Sequence, residues 1–290
     1  MSESNSESDC EDVSYSREAT IAAITDYYTF LTRMYMHESQ VIYPPAEGWP
    51  SIVNADPAKL QDLGKSDEVL SLLAHLPYIR RPGDWNDDAD AIPWCSFTDW
   101  SSLFESLDAG VSKGQGLRDR TEGQPLATLL LPHVVGLAHA TQEDSPVIVL
   151  DTELGIVHWE DYTCADEIGE NWAGVDWEEL KKDVLDVDSL DDVVSEAEAD
   201  WRYSASAWLY PDFFEVLKDE FKSLNWVPIS PYAVRGSREL PDEAGMMSMV
   251  KDIYRQHGWP DMAAYRKTEC LEAVRKAIAE KYPNSVCGRG

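Results

Sequence analysis

The strongest constraint on the fold is the stretch between residues 145 and 162, SPVIVLDTELGIVHWEDY. A continuous apolar run, VIVL, is followed by the turn-forming residues DTELG and then by the β-rich segment GIVHW, an order that predicts an antiparallel hairpin. Because side chains alternate between the faces of a strand, Ile156 and His158 share one face. Val157 and Trp159 share the other face, which is expected to pack on the core.

Helical spacing of apolar residues is found on both sides of this hairpin in the chain. Residues 16 to 36 place apolar side chains three and four positions apart behind Ser16, a preferred N-cap residue. Residues 66 to 75 begin with Ser66 and two acidic residues and end before Pro77, so they carry both a start and a stop signal. Further helical stripes follow Pro211 and occupy the last third of the chain. These patterns predict an α+β fold, with a mainly antiparallel sheet flanked by helices.

Composition suggests how the chain is divided. Residues 1 to 15 are rich in Ser, Glu and Asp and are predicted to form a disordered acidic tail, because they cannot bury enough apolar area to offset the entropy of ordering. Residues 16 to 290 are predicted to form a single globular α+β domain, since a chain with 43% hydrophobic residues can bury a sizeable core. Within it, residues 110 to 124, GVSKGQGLRDRTEGQ, are predicted to be a flexible Gly-rich insertion.

Charge restricts the possible partners. The chain has 54 acidic and 24 basic residues and a formal net charge of −30, which repels phosphate backbones and anionic lipids and favours a basic protein surface. We therefore expect a basic protein partner, no nucleic acid and no membrane, with the oligomeric state left open. Five scattered cysteines without CxxC spacing, and the lack of a signal peptide or of an apolar stretch of about 20 residues, favour the cytoplasm, with the nucleus as an alternative.

Acidic and histidine side chains crowd the predicted hairpin, and more than one interpretation is open. Asp151 and Glu153 belong to a turn whose geometry such residues suit, so they and His158 are expected to be exposed and structural. Alternatively, two carboxylates form a glycosidase-like pair, or His133, His139, His158 and Asp151 converge on zinc or iron. The sequence contains none of the patterns HxH, HExxH or GxxxxGK[ST], and GVSKG at residues 110 to 114 does not follow a clear strand, as a GxSxG nucleophile elbow does. We predict no catalytic residue, no metal and no cofactor.

Tryptophan is abundant, with 11 residues, and several lie in predicted loops. Loop aromatics can line a recognition pocket or form an interface, or they can cover the core beneath long loops. The candidate binding residues are therefore Trp49, Trp85 and Trp94, together with Asp151, Glu153 and His158.

Four blocks of the chain carry a resemblance to known proteins. YPPAEGWPSI, LGKSDEVLSLLAHLPYI, VIVLDTELGIVHW and HGWPDMAAYRKTECLEAVRKAI, in this order, resemble a group of uncharacterised fungal proteins. The order of an N-terminal helix, a strand meander and flanking helices also resembles the SMI1/KNR4 (SUKH) superfamily. That resemblance implies an α+β fold and a mostly non-enzymatic role in protein binding, and it assigns no functional residue here.

Two functions are consistent with these observations. The first is a soluble protein-binding or scaffold module. The alternative is a hydrolase-type enzyme with an Asp/Glu/His pocket near residues 133 to 161. An enzyme requires carboxylates and histidines that converge in a concave pocket, whereas a binding module requires an exposed apolar patch.

Overall fold

The computed structural model describes residues 15–80, 89–124, 126–139, 147–160, 198, 201–202, 205–236 and 243–283. The predicted tail lies outside these residues except for Tyr15, and so does Trp85. The helices are α1 (Arg17–Met34), α2 (Pro50–Val53), α3 (Pro57–Leu63), α4 (Asp67–His75), α5 (Trp100–Asp108), α6 (Gly114–Glu122), α7 (Tyr210–Ser223), α8 (Met246–Gln256) and α9 (Lys267–Lys281). The strands are β1 (Val41–Ile42), β2 (Tyr78–Ile79), β3 (Ser96–Phe97), β4 (Val134–Gly136), β5 (Ala138–His139), β6 (Val147–Asp151), β7 (Ile156–Glu160), β8 (Ser206–Leu209), β9 (Val227–Pro228) and β10 (Val234–Arg235).

The predicted α+β fold is confirmed. The largest sheet is antiparallel, with strand order β4-β6-β7-β8, and the shorter strands pair as β1 with β2, β3 with β5, and β9 with β10. The predicted hairpin forms the two inner strands of the largest sheet. Strands β6 and β7 pair in a register that places Val149 opposite His158 and Asp151 opposite Ile156. Gly155 closes the turn with φ at 70°, a left-handed conformation that glycine adopts without strain.

The two faces of this sheet bury different cores. Val157 and Trp159 face the main core, as their alternation predicts, together with Ile148 and Leu150 from β6. The opposite face carries Val147 and Val149 and packs on a second, smaller cluster, which also contains Leu126, Leu130, Val134 and Trp201. Because both faces are covered, polar side chains on the second face are enclosed as well.

Helix α1 forms where the sequence predicts it and joins the main core through α7. Ser16 is its N-cap, and the Ser16 side chain accepts a hydrogen bond from the backbone N–H of Ala19. The ring of Tyr27 lies 5.6 Å from that of Phe214, and Lys218 of α7 forms an ion pair with Asp26. Helix α4 also begins and ends as predicted, with Ser66 as its N-cap.

Hydrogen bonds connect the start of α9 to the end of α1. Lys267, the first residue of α9, donates hydrogen bonds of 2.6 Å to the carbonyl oxygens of both Thr32 and Met36. The Tyr265 hydroxyl donates to the carbonyl oxygen of Met34 at 2.8 Å. The last carbonyl groups of a helix lack partners within it, so the donors to Thr32 and Met34 satisfy two of them and fix the start of α9 against α1.

The expectation of a flexible Gly-rich insertion is wrong, because residues 114 to 122 form the helix α6. Gly114 packs against the end of α3 so closely that a Cβ atom there would lie 2.5 Å from backbone atoms of Asp62 and Leu63. The backbone N–H of Gly114 donates to the Asp62 carboxylate at 2.7 Å, and Leu117 is fully buried. Glycine is needed here because the backbones of two helices approach each other closely. A Gly-rich composition by itself does not show whether the glycines provide such a close approach or flexibility.

Candidate functional site

The hairpin brings its polar residues into the interior instead of to the surface. Asp151 ends β6 and His158 lies in the middle of β7, and the antiparallel register directs both side chains to the second face of the sheet. Asp151 is 0% and His158 is 1% exposed, so the expectation that both are exposed is wrong. Glu153, in the turn, is exposed as expected, with 69% of its side chain accessible. Asp151 and His158 are buried because the second, smaller core covers the face of the sheet on which they lie.

Arg202 is the centre of the resulting polar cluster, which we define as His133, Asp151, His158, Glu198 and Arg202. One terminal nitrogen of Arg202, Nη2, donates to Asp151 Oδ2 at 2.5 Å and to Glu198 Oε1 at 2.8 Å. The other, Nη1, lies 3.0 Å from His158 Nε2. The guanidinium also lies 4.4 Å from the centre of the Trp201 ring. A permanently charged guanidinium therefore joins two carboxylates and one imidazole inside the protein.

The protonation of His158 follows from these contacts. Burial, and then the positive charge of Arg202, lower the pKa of His158 to about 3. The imidazole is thus neutral at physiological pH. Because Arg202 can only donate, His158 Nε2 accepts and the ring proton is placed on Nδ1. Among the residues that the structure describes, neither His158 Nδ1 nor Arg202 Nε has a hydrogen-bond partner.

His133 lies at the outer edge of the polar cluster. Its Nε2 is 3.7 Å from Asp151 Oδ2 and 3.9 Å from Glu198 Oε1, and its Nδ1 is 3.3 Å from Glu153 Oε1. The backbone holds this position, since both the N–H and the hydroxyl of Thr152 donate to the His133 carbonyl oxygen, at 3.0 and 2.8 Å. His133 is half-buried, so it is the member of the cluster that faces both the interior and the surface.

Asp151 has two roles, one predicted and one not. Its Oδ1 accepts hydrogen bonds from the backbone N–H groups of Glu153 at 2.7 Å and Leu154 at 2.9 Å, the Asx-turn geometry that favours Asp at the start of a turn. Its Oδ2 forms the ion pair with Arg202. The turn interpretation of Asp151 is therefore correct, and the same carboxylate also belongs to the buried cluster.

The convergence that a metal site requires is present in part. His133, Asp151 and His158 do come together, while His139 lies in β5, which pairs with β3 in another sheet. Within the described residues, however, no group of His, Cys, Asp and Glu side chains is arranged to hold a metal ion. The guanidinium of Arg202 occupies the position between the carboxylates and the imidazole where a cation would bind. The cluster is therefore an ionic network in which both carboxylates, Asp151 and Glu198, pair with Arg202.

Trp49 and Trp94, the two candidate tryptophans within the described residues, pack against residues outside this cluster. Trp49 is half-buried, donates from Nε1 to the Leu76 carbonyl oxygen at 2.8 Å and packs on Tyr78, so it covers the end of α4. Trp94 is also half-buried and has a φ of 59°, uncommon for a residue with a side chain. The Arg235 guanidinium lies 3.2 Å from the centre of its ring. A binding role for Trp49, Trp85 and Trp94 stays a prediction.

Sequence reasoning missed the two members of the cluster that lie far from the hairpin. Glu198 and Arg202 are separated by four positions, a spacing that allows an ion pair along one helical face. That spacing, with an arginine in an otherwise acidic stretch, was the available signal. It also missed the pair of Lys65 and Glu122, whose side chains are 1% and 0% exposed and lie 2.5 Å apart between Nζ and Oε1. Burial raises the pKa of Glu122 and lowers that of Lys65, although each group's charge opposes the shift of the other.

The fold and the site together define an α+β protein with a buried ionic network on one face of its largest sheet. Comparison with protein-family models, curated proteins and solved structures found no match to the chain. The resemblances to fungal proteins and to the SMI1/KNR4 superfamily therefore stay predictions. Among the described residues, no helix is both long enough and apolar enough to cross a membrane.

Proposed function

We propose that this chain is a protein-binding or scaffold module of the cytoplasm that associates with a basic protein partner. The observation that carries the proposal is that the buried members of the polar cluster bond to one another around Arg202. Arg202 bonds to Asp151, Glu198 and His158 at once, and a histidine with a pKa of about 3 is a poor general base at neutral pH. The most concentrated set of ionisable groups near the hairpin thus supports a structural role better than a chemical one.

The distribution of charge supports the nature of the partner. Residues 161 to 200 contain fifteen acidic and two basic residues, so they supply much of the formal net charge of −30. A concentrated negative charge attracts a basic surface over a distance of about one Debye length and raises the rate of encounter. Proteins that associate in this way lose association rate as salt increases.

The test begins with recovery of partners by the full chain from cytosolic extract at low and high salt. A recovered partner is then purified, and its association rate constant is measured by stopped-flow between about 50 and about 300 mM salt. We expect the rate constant to fall by about tenfold or more across this range. A rate constant that does not change with salt would refute the electrostatic part of the proposal.

Two matched variants test which part of the chain raises the association rate constant. In the first, Asp188, Asp191 and Asp192 are changed to Asn; in the control, the exposed residues Glu269, Glu272 and Glu280 of α9 are changed to Gln. Both variants remove three negative charges. We expect the first to lower the association rate constant more than the control does, because its charges belong to the most acidic part of the sequence.

A hydrolase-type enzyme with an Asp/Glu/His pocket near residues 133 to 161 is the second candidate, because His133, Asp151 and His158 converge as that function requires. The test is hydrolysis of chromogenic ester and glycoside substrates by the full chain and by His133→Gln. His133 is the residue to change because it reaches the edge of the cluster while Asp151 and His158 are enclosed. Turnover that His133→Gln abolishes would favour the enzyme over the binding module.

A further inference from the structure

Two leucines are exposed in the segment of chain that leads into the polar cluster at His133. In the part of the chain that the structure describes, the exposed large apolar side chains are Tyr43, Val53, Val111, Leu129, Leu131 and Tyr232. Leu129 is 50% and Leu131 is 39% exposed, and both lie within four positions of His133. They are thus the exposed apolar side chains that stand in sequence next to the edge of the cluster.

The backbone of this region is held in place by its neighbours. The carbonyl oxygen of Leu131 accepts from the N–H of Val134 at 3.0 Å, which closes a tight turn, and that of Pro132 accepts from the N–H of Ser66 at 2.8 Å. The His133 carbonyl oxygen is fixed by Thr152, as described above. A surface held in this way loses little conformational entropy when a partner binds.

Glu153 places a negative charge on the exposed side of the polar cluster. Glu153 is exposed, and it pairs with the half-buried His133, which is cationic only when protonated. Arg202 is 2% exposed and forms ion pairs with Asp151 and Glu198 inside the protein. A partner approaching the cluster from solvent therefore meets the Glu153 carboxylate before it meets the guanidinium of Arg202.

We propose that the surface of Leu129, Leu131, His133 and Glu153, which we call the leucine–carboxylate surface, is where the basic partner docks. The partner presents a lysine or arginine to Glu153 and an adjacent apolar side chain to the two leucines. This inference rests on the proposed function and adds its location. Apolar contact at the centre of a patch supplies affinity, and a charge at its rim supplies rate and specificity.

The probe is a fluorescent peptide of about 12 residues in which lysine and leucine alternate, with binding to the full chain measured by anisotropy. Two further peptides test the chemistry: in one glutamate replaces lysine, and in the other serine replaces leucine. The site variants are Glu153→Lys and the double change Leu129→Ser with Leu131→Ser. The matched controls are Glu272→Lys on α9 and the double change of the exposed residues Val53→Ser with Val111→Ser.

We expect each site variant to weaken binding of the lysine–leucine peptide by about tenfold, and each control by less than about twofold. Both modified peptides should bind the unchanged protein more weakly than the lysine–leucine peptide does. Thermal melts check that every variant is folded, and Glu153→Lys, in an exposed turn, keeps the test decisive if the leucine variant is unstable.

The outcomes separate this inference from the proposed function. Equal, salt-sensitive binding by site variants and controls would overturn the leucine–carboxylate surface and leave the acidic binding module in place. No binding of the lysine–leucine peptide by the unchanged protein at about 50 mM salt would overturn both. Loss of binding in the site variants alone supports both.

Discussion

At the scale of single residues, Arg202 is the side chain on which the second face of the sheet depends. Its replacement by Met would leave Asp151 and Glu198 inside the protein without their counter-ion, although methionine fills a similar volume. We expect Arg202→Met to lower the free energy of unfolding by about 3 to 5 kcal/mol, the cost of breaking one side of a buried ion pair. Urea denaturation at neutral pH measures it.

The control for this prediction is Arg255→Met. Arg255 pairs with Asp252 at 2.9 Å, but both side chains are exposed, at 58% and 62%. Exposed pairs contribute little, so the control should change stability by less than about 1 kcal/mol. Equal effects of the two substitutions would show that the ionic network does not stabilise the fold.

His158 gives the fold a specific response to acid. Its pKa is about 3 in the folded protein and 6.5 in the reference state, so the unfolded chain binds the extra proton between these values. Its contribution to stability is therefore fully present above about pH 6.5 and is lost as the pH falls towards 3. The slope approaches about 1.4 kcal/mol per pH unit at its steepest.

Comparison with His158→Gln isolates this contribution from that of the carboxylates. Urea denaturation of both proteins at intervals between about pH 7 and about pH 4 gives the measurement. The stability advantage of the unchanged protein over His158→Gln should decrease as the pH falls. If the difference stays constant over this range, His158 does not titrate as its burial beside Arg202 requires.

At the scale of elements, α6 shows that two glycines in one helix have opposite effects. A Cβ at Gly114 would lie 2.5 Å from the backbone of α3, whereas a Cβ at Gly116 has nothing within 4 Å. We expect Gly114→Ala to destabilise the fold by about 2 to 3 kcal/mol, because rigid backbone must move. Gly116→Ala should stabilise it by about 0.5 to 1 kcal/mol through helix propensity. Thermal melts test both, and effects of the same sign would contradict the packing of α6 on α3.

At the scale of the whole molecule, the folded part of the chain should begin at Tyr15. The Tyr15 backbone lies 3.3 Å from the position of a Cβ at Gly155, and Ser16 caps α1. Deletion of residues 1 to 13, which are polar and lack periodicity, should leave the melting temperature unchanged within about 1 °C. Deletion of residues 1 to 16 removes the N-cap and should lower it by several degrees, since a cap contributes about 1 kcal/mol. A large loss from the shorter deletion would contradict this boundary.

The sequence by itself determined the elements whose signals are local. The hairpin of β6 and β7, the start of α1 at Ser16 and the start of α4 at Ser66 were all predictable. In each case an apolar period, a turn sequence or a capping residue acts within a few positions along the chain. The division of the hairpin into two faces was predictable for the same reason, because alternation is a property of the strand itself.

Only the tertiary structure decided what covers the second face and which charges are buried there. Arg202 is 51 positions from Asp151 and 44 from His158, so no local pattern connects them. Gly114 is 52 positions from Asp62, and its role depends on the approach of two helices. Burial and ion pairing depend on contacts between distant parts of the chain. Because of these contacts, Asp151 at the turn and His158 in the strand are buried in an ionic network.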